Sequence, residues 1–90
     1  MNIENCRVAI ADDEPMIRFA LKSILAGLKL NCVGEATNGQ EAVALYAREQ
    51  PDLLLLDINM PGQNGDVALK EIRARFPAAR IVMLTAVAEA

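Results

Sequence analysis

At 90 residues, with nine Lys and Arg against twelve Asp and Glu and a formal charge of −3, the chain has room for one domain and no basic stripe for a nucleic-acid backbone. Its apolar fraction is 53% with only 3% aromatics, so the core material is Ala, Leu, Ile and Val, which suits a parallel sheet covered by helices and excludes disorder and collagen. No apolar run reaches the roughly 20 residues of a membrane-spanning helix, the first five residues lack the basic and apolar stretches of a signal peptide, and two cysteines are too few for a disulfide scaffold; a cytoplasmic chain with reduced thiols is expected.

The first element is a strand over Cys6–Ala11, ended by Asp12-Asp13-Glu14-Pro15. Pro15 is tolerated in a first helical turn. A helix follows with Ile17, Leu21, Ile24, Leu25 and Leu28 as its apolar stripe and Gly27 at its end. Asn31–Ala36 reads as a weaker second strand. Asn38, three residues before Glu41, approximates a capping box for a helix built on Ala42, Val43, Leu45 and Tyr46, which Pro51 stops.

Asp52–Asp57 holds four leucines between acids, the pattern of a strand buried on both faces. Asn59–Gly65 is a loop by its Pro, Gly and Asn content. Val67, Ala68, Leu69, Ile72 and Phe76 make a third helix ending at Pro77, and Arg80–Leu84 is a fourth strand followed by Thr85. The βαβαβαβ order implies an α/β fold with a parallel sheet and right-handed crossovers, in which function gathers outside the carboxyl ends of the strands.

Asp12 and Asp13 follow strand 1, Asp57 ends strand 3 and Thr85 ends strand 4. If those strands are neighbours, the four side chains converge. Clustered carboxylates repel, and a hard divalent cation is the simplest offset. Mg²⁺ takes one or two carboxylates together with waters and phosphate oxygens. A carboxylate beside it can attack a phosphoryl group. Each residue also has a plainer reading: Asp13 as a helix cap, Asp12 as a solvated strand end, Asp57 as a loop opener, Thr85 as an ordinary strand residue. Asp52 is expected as an exposed strand start, Cys6 and Cys32 as unbridged core residues, Met16 and Met60 as packing residues, and Arg73 and Arg75 as a solvated helix face.

These residues resemble the receiver domain of two-component response regulators, the CheY-like group. The matching pieces are Asp12-Asp13, Leu56-Asp57, Met60-Pro61-Gly62-Gln63-Asn64-Gly65 and Thr85-Ala86, with Gly34-Glu35-Ala36 and Asn38-Gly39-Gln40-Glu41-Ala42 alongside. The resemblance runs in register through residues 1–90. It implies a flavodoxin-like, doubly wound parallel sheet. It also implies that Asp57 is the phospho-acceptor, that Asp13 ligates Mg²⁺ directly and Asp12 through water, and that Asp57 and the backbone carbonyl of Asn59 complete the metal set. By the same resemblance Thr85 senses the phosphoryl group, Asn59 and Val87 tune the lifetime of the modification, and Gly65 lets its loop turn. The family carries a further helix, a fifth strand with a phosphate-binding Lys, and a fifth helix, which have no counterpart before Ala90. The expectation is therefore a truncated, incomplete receiver, impaired by the absence of that Lys.

The implied function is a switch phosphorylated by a sensor histidine kinase, with catalysis limited to its own phosphorylation and dephosphorylation. An output domain or partner protein would read the state. An open strand-4 edge invites a homodimer or domain swap. The competing readings are a non-phosphorylated interaction module that keeps only the fold, and an Asp-nucleophile phosphohydrolase. The latter wants an acid two residues after the nucleophile, where this chain has Asn59.

Overall fold

The computed structural model describes residues 5–60 and 65–84. The elements are β1 (Arg7–Ala11), α1 (Pro15–Gly27), β2 (Asn31–Ala36), α2 (Gly39–Glu49), β3 (Leu53–Asp57), α3 (Gly65–Arg75) and β4 (Ile81–Leu84). All strand pairs are parallel, in the order β2-β1-β3-β4. The register of β1 against β2 shifts between Val8 and Ala9. The expected strands thus form, three of them shorter by one residue at the amino end.

Parallel strands need crossovers, and each crossover helix must bury its apolar side on the sheet. Ala9, Ala11, Ala36, Leu54 and Leu56 from the sheet pack with Ala42, Leu45, Tyr46, Ala68 and Ile72 from α2 and α3. The rings of Tyr46 and Phe76 lie 5.1 Å apart and tie α2 to the end of α3. On the opposite face Val8, Ile10 and Leu25 form a smaller cluster with Cys6, flanked by Leu21, Leu30, Cys32, Leu53 and Leu55. Neither Cys6 nor Cys32 is in a disulfide.

Two expectations change here. The leucines of β3 are not equally buried: Leu54 and Leu56 are sealed under α2 and α3, whereas Leu53 and Leu55 are half-buried. The apolar stripe of α1 is only partly covered, since Leu25 is buried while Ile24 and Leu28 stay 58% and 60% exposed. The reason is coverage: among the described elements two helices lie on one sheet face and α1 alone on the other.

Local chemistry sets the helix ends. Pro15 occupies the first turn of α1. Its far end is a Schellman motif, with Lys29 N–H donating to Ala26 O at 3.0 Å and Leu30 N–H to Leu25 O at 2.9 Å. The left-handed residue is Lys29, with φ of 60°, so Gly27 closes the helix in sequence without supplying the reversed backbone. At α2, Glu41 N–H donates to Asn38 Oδ1 at 2.8 Å. The reciprocal arm reaches one residue further out: Glu41 Oε1 accepts from Thr37 N–H and Oγ1 at 2.8 and 2.7 Å.

Candidate functional site

Strand register decides what meets what. Ala11 pairs with Ala36 on one side and Leu56 on the other, and Asp57 pairs with Leu84. The residues following β1 and ending β3 therefore emerge side by side. Asp12, Asp13 and Asp57 each bring a carboxylate oxygen within 4.8 Å of the others.

Asp12 is 5% exposed and held at three points. Its N–H donates to Ala36 O at 3.0 Å, its Oδ1 accepts from Glu14 N–H at 2.9 Å, and its carbonyl accepts from Arg18 NH1 at 2.7 Å. Asp13 is half-buried. The cap position of α1 belongs to Glu14, whose side chain makes no capping bond, so the plain reading of Asp13 as a cap is set aside. Asp57 is 6% exposed, and its Oδ1 accepts from Asn59 N–H at 3.0 Å, a local turn of the kind Asp favours. Asn59 itself is exposed.

Burial pushes the Asp57 carboxyl above its usual range, opposed by the Asn59 N–H; the charges of Asp12 and Asp13 and a hydrogen bond with Asp13 push it further up. An oxygen-only donor set with surplus negative charge fits a hard cation such as Mg²⁺ rather than a metal seeking nitrogen or sulfur.

Other expected residues fall variously. Thr85, Ala86, Val87 and the loop 61–64 lie outside the described residues. Leu84, directly before Thr85, stands beside Asp57 in the register. Met60 is buried and packs in the core as expected, whereas Met16 is 75% exposed and does not pack. Arg73 and Arg75 are exposed, as expected of a solvated face. Asp52 is exposed, and its Oδ2 accepts from Arg7 N–H at 2.8 Å. Gly65 is the first residue of α3 with no reversed backbone; what it provides is close approach, since a β-carbon there would overlap the Asp57 and Ile58 backbone. Neither Arg18 nor Glu35 stands out as a site residue in the sequence. Their ion pair spans 17 positions, and no local periodicity announces it.

The parallel sheet gathers three carboxylates at the carboxyl ends of its two central strands, which makes the chain an α/β domain with an acidic site at that edge. The chain belongs to the response regulator receiver domain family, whose model matches residues 8–90. It is 42% identical over 83 residues to the chemotaxis protein CheY of Thermotoga maritima, covering 92% of this chain and 69% of that protein. It is 38% identical over 85 residues to the nitrate/nitrite response regulator NarL of Escherichia coli K12, covering 93% of this chain but only 39% of that one.

Among solved structures, CheY in the CheX–CheY–BeF3–Mg²⁺ complex of Borrelia burgdorferi superposes with a TM-score of 0.89 at 30% identity, covering 93% of this chain and 64% of that chain. TrrA of T. maritima, solved with Mg²⁺ and beryllofluoride, gives 0.86 at 38% identity, covering 92% and 71%. Receiver domains are signalling switches rather than ordinary enzymes, they receive phosphoryl groups from histidine kinases, and they bind Mg²⁺ at an acidic cluster. Among the described residues no helix is long and apolar enough to cross a membrane.

Proposed function

We propose that residues 1–90 act as one receiver domain in which Asp57 accepts a phosphoryl group from a sensor histidine kinase. The observation that carries this reading is the buried Asp57 carboxylate, with raised proton affinity, within 4.8 Å of two further carboxylates. Asp12, Asp13, Asp57 and the backbone carbonyl of Asn59 would hold Mg²⁺. When bound, Mg²⁺ offsets the charge on the transferring phosphoryl oxygens. One oxygen of Asp57 bonds to phosphorus as the phosphorus–nitrogen bond of the donor phosphohistidine breaks, and the imidazole nitrogen leaves with the electron pair. The Asn59 N–H keeps the Asp57 carboxyl oriented through its Oδ1. Thr85 follows β4, whose last residue pairs with Asp57, and it would hydrogen-bond the new phosphoryl group.

The relatives support an output partner: one of them is the DNA-binding transcriptional regulator NtrC of Salmonella typhimurium, 42% identical over 79 residues. Association with a second copy is supported by β4, which with β2 is one of the two outer strands of the described sheet and whose Val82 is exposed. Sedimentation of the chain as a monomer at all concentrations removes that last element.

The test of the main reading is incubation of the full chain with Mg²⁺ and acetyl phosphate, followed by mass spectrometry. One added phosphoryl group, absent in Asp57→Asn, is expected. Sustained turnover of the donor without a stable adduct supports a phosphohydrolase instead. No adduct under any donor supports a fold-only interaction module.

A further inference from the structure

We propose that Arg18 is a positioning residue that holds the Asp12–Asp13 loop in the shape a divalent cation requires. The proposal rests on the Mg²⁺ reading of the acidic cluster. Arg18 sits on α1 with its side chain 17% exposed, and its guanidinium is used on two sides at once. NH1 donates to the Asp12 carbonyl at 2.7 Å, and NE donates to Glu35 Oε1 at 3.1 Å. Glu35 in turn accepts from Lys22 Nζ at 2.9 Å through Oε2, so both of its carboxylate oxygens are engaged at an exposed position on β2. The Arg18 N–H also donates to Glu14 O at 3.1 Å. The side chain therefore ties Asp12 to α1 and, through Glu35, α1 to β2, whereas the N–H bond to Glu14 is helix backbone that any residue at position 18 makes.

A planar guanidinium can span a carbonyl and a carboxylate with fixed geometry, and an ammonium cannot. Together with the Asp12 N–H to Ala36 O bond, Arg18 fixes the Asp12 backbone on both sides. Asp13, the next residue, inherits its direction from that anchored peptide.

Charge and position make opposite predictions. As a positive charge near the cluster, Arg18 opposes a second cation, so its removal would tighten Mg²⁺ binding. As a positioning residue, its removal loosens Mg²⁺ binding, in the way that outer partners of metal ligands do.

The test is Mg²⁺ titration of the full chain, followed by amide NMR shifts, for wild type, Arg18→Gln, Arg18→Lys and Asp13→Asn, with thermal unfolding recorded without metal. Arg18→Gln is expected to bind Mg²⁺ about tenfold more weakly. Arg18→Lys, which keeps the charge, is expected to weaken binding as well. Unchanged or tighter binding in Arg18→Gln overturns the proposal, including the case where only the melting temperature falls. If Arg18→Gln does not fold, Arg18→Lys decides by the same criterion. Asp13→Asn separates the two levels: if it keeps full Mg²⁺ affinity, the metal reading itself fails. If it loses affinity while Arg18→Gln does not, only the positioning role fails.

Discussion

Gly65 presses against the backbone of Asp57. A β-carbon built on Gly65 would lie well inside van der Waals contact distance of the Asp57 carbonyl oxygen and of Ile58 Cα, and the Gly65 N–H donates to Ile58 O at 2.8 Å. The obstacle is backbone rather than the tip of a flexible side chain, so it cannot swing away. Gly65→Ala is expected to cost about 1–3 kcal/mol in urea denaturation. It should also shift the Asp57 and Asn59 amide resonances, because the start of α3 must back off from the end of β3. A stability change with those resonances unmoved would contradict the contact.

The raised proton affinity of Asp57 has a defined sign in stability. For an acid whose folded pKa lies above its unfolded value, 3.8 here, the fold binds more protons between the two values. Stability then falls as pH rises through that window, and the penalty persists above it. Without metal, Asp57→Asn is expected to melt higher than wild type at neutral pH, with the difference vanishing at pH below the unfolded value. Added Mg²⁺ should raise the melting temperature of wild type more than that of the variant, since a ligand stabilises only the state that binds it.

The two faces of β3 should respond differently to truncation. Leu54 is fully buried against α2 and α3, while Leu55 is half-buried on the α1 side. Leu54→Ala is expected to cost about 3 kcal/mol, within the range for a sealed core site. Leu55→Ala is expected to cost roughly half of that, because less apolar area leaves water there on folding. Chemical denaturation of the two variants side by side makes the comparison.

Asn38 tests the local rather than the long-range wiring. Its Oδ1 accepts from Glu41 N–H at 2.8 Å and caps α2. Asn38→Ala is expected to cost about 1 kcal/mol, and Asn38→Asp or Asn38→Ser to retain most of the stability. Equal stability of Asn38→Ala and wild type would show that the Glu41–Thr37 bonds alone hold that helix end.

Several features are legible in the sequence alone. Pro15, Asn38 and Pro51 punctuate the helices because capping and proline effects act within a few residues. The apolar run ending at Asp57 announced a strand because it is short, solid and bounded by breakers. Periodicity misled where it could not know its surroundings. The apolar stripe on α1 marks a helix face, yet Ile24 and Leu28 remain exposed, because an amphipathic pattern does not say how much sheet lies beneath it. The resemblance makes Gly65 a turn former, while its constraint in the structure is the nearby Asp57 backbone.

The sequence by itself therefore determined the alternation of strands and helices, the helix caps and the placement of each acid at a strand end, all of which depend on neighbours within a turn or two. Only the tertiary structure decided that β1 and β3 lie side by side at the centre of the sheet, bringing Asp12 and Asp13 against Asp57 across 45 and 44 positions. It alone joined Arg18 to Asp12 and Glu35. The physical reason is that strand pairing and charge anchoring act through space: their energy depends on which distant segments the fold makes adjacent, and a linear pattern carries no record of that adjacency.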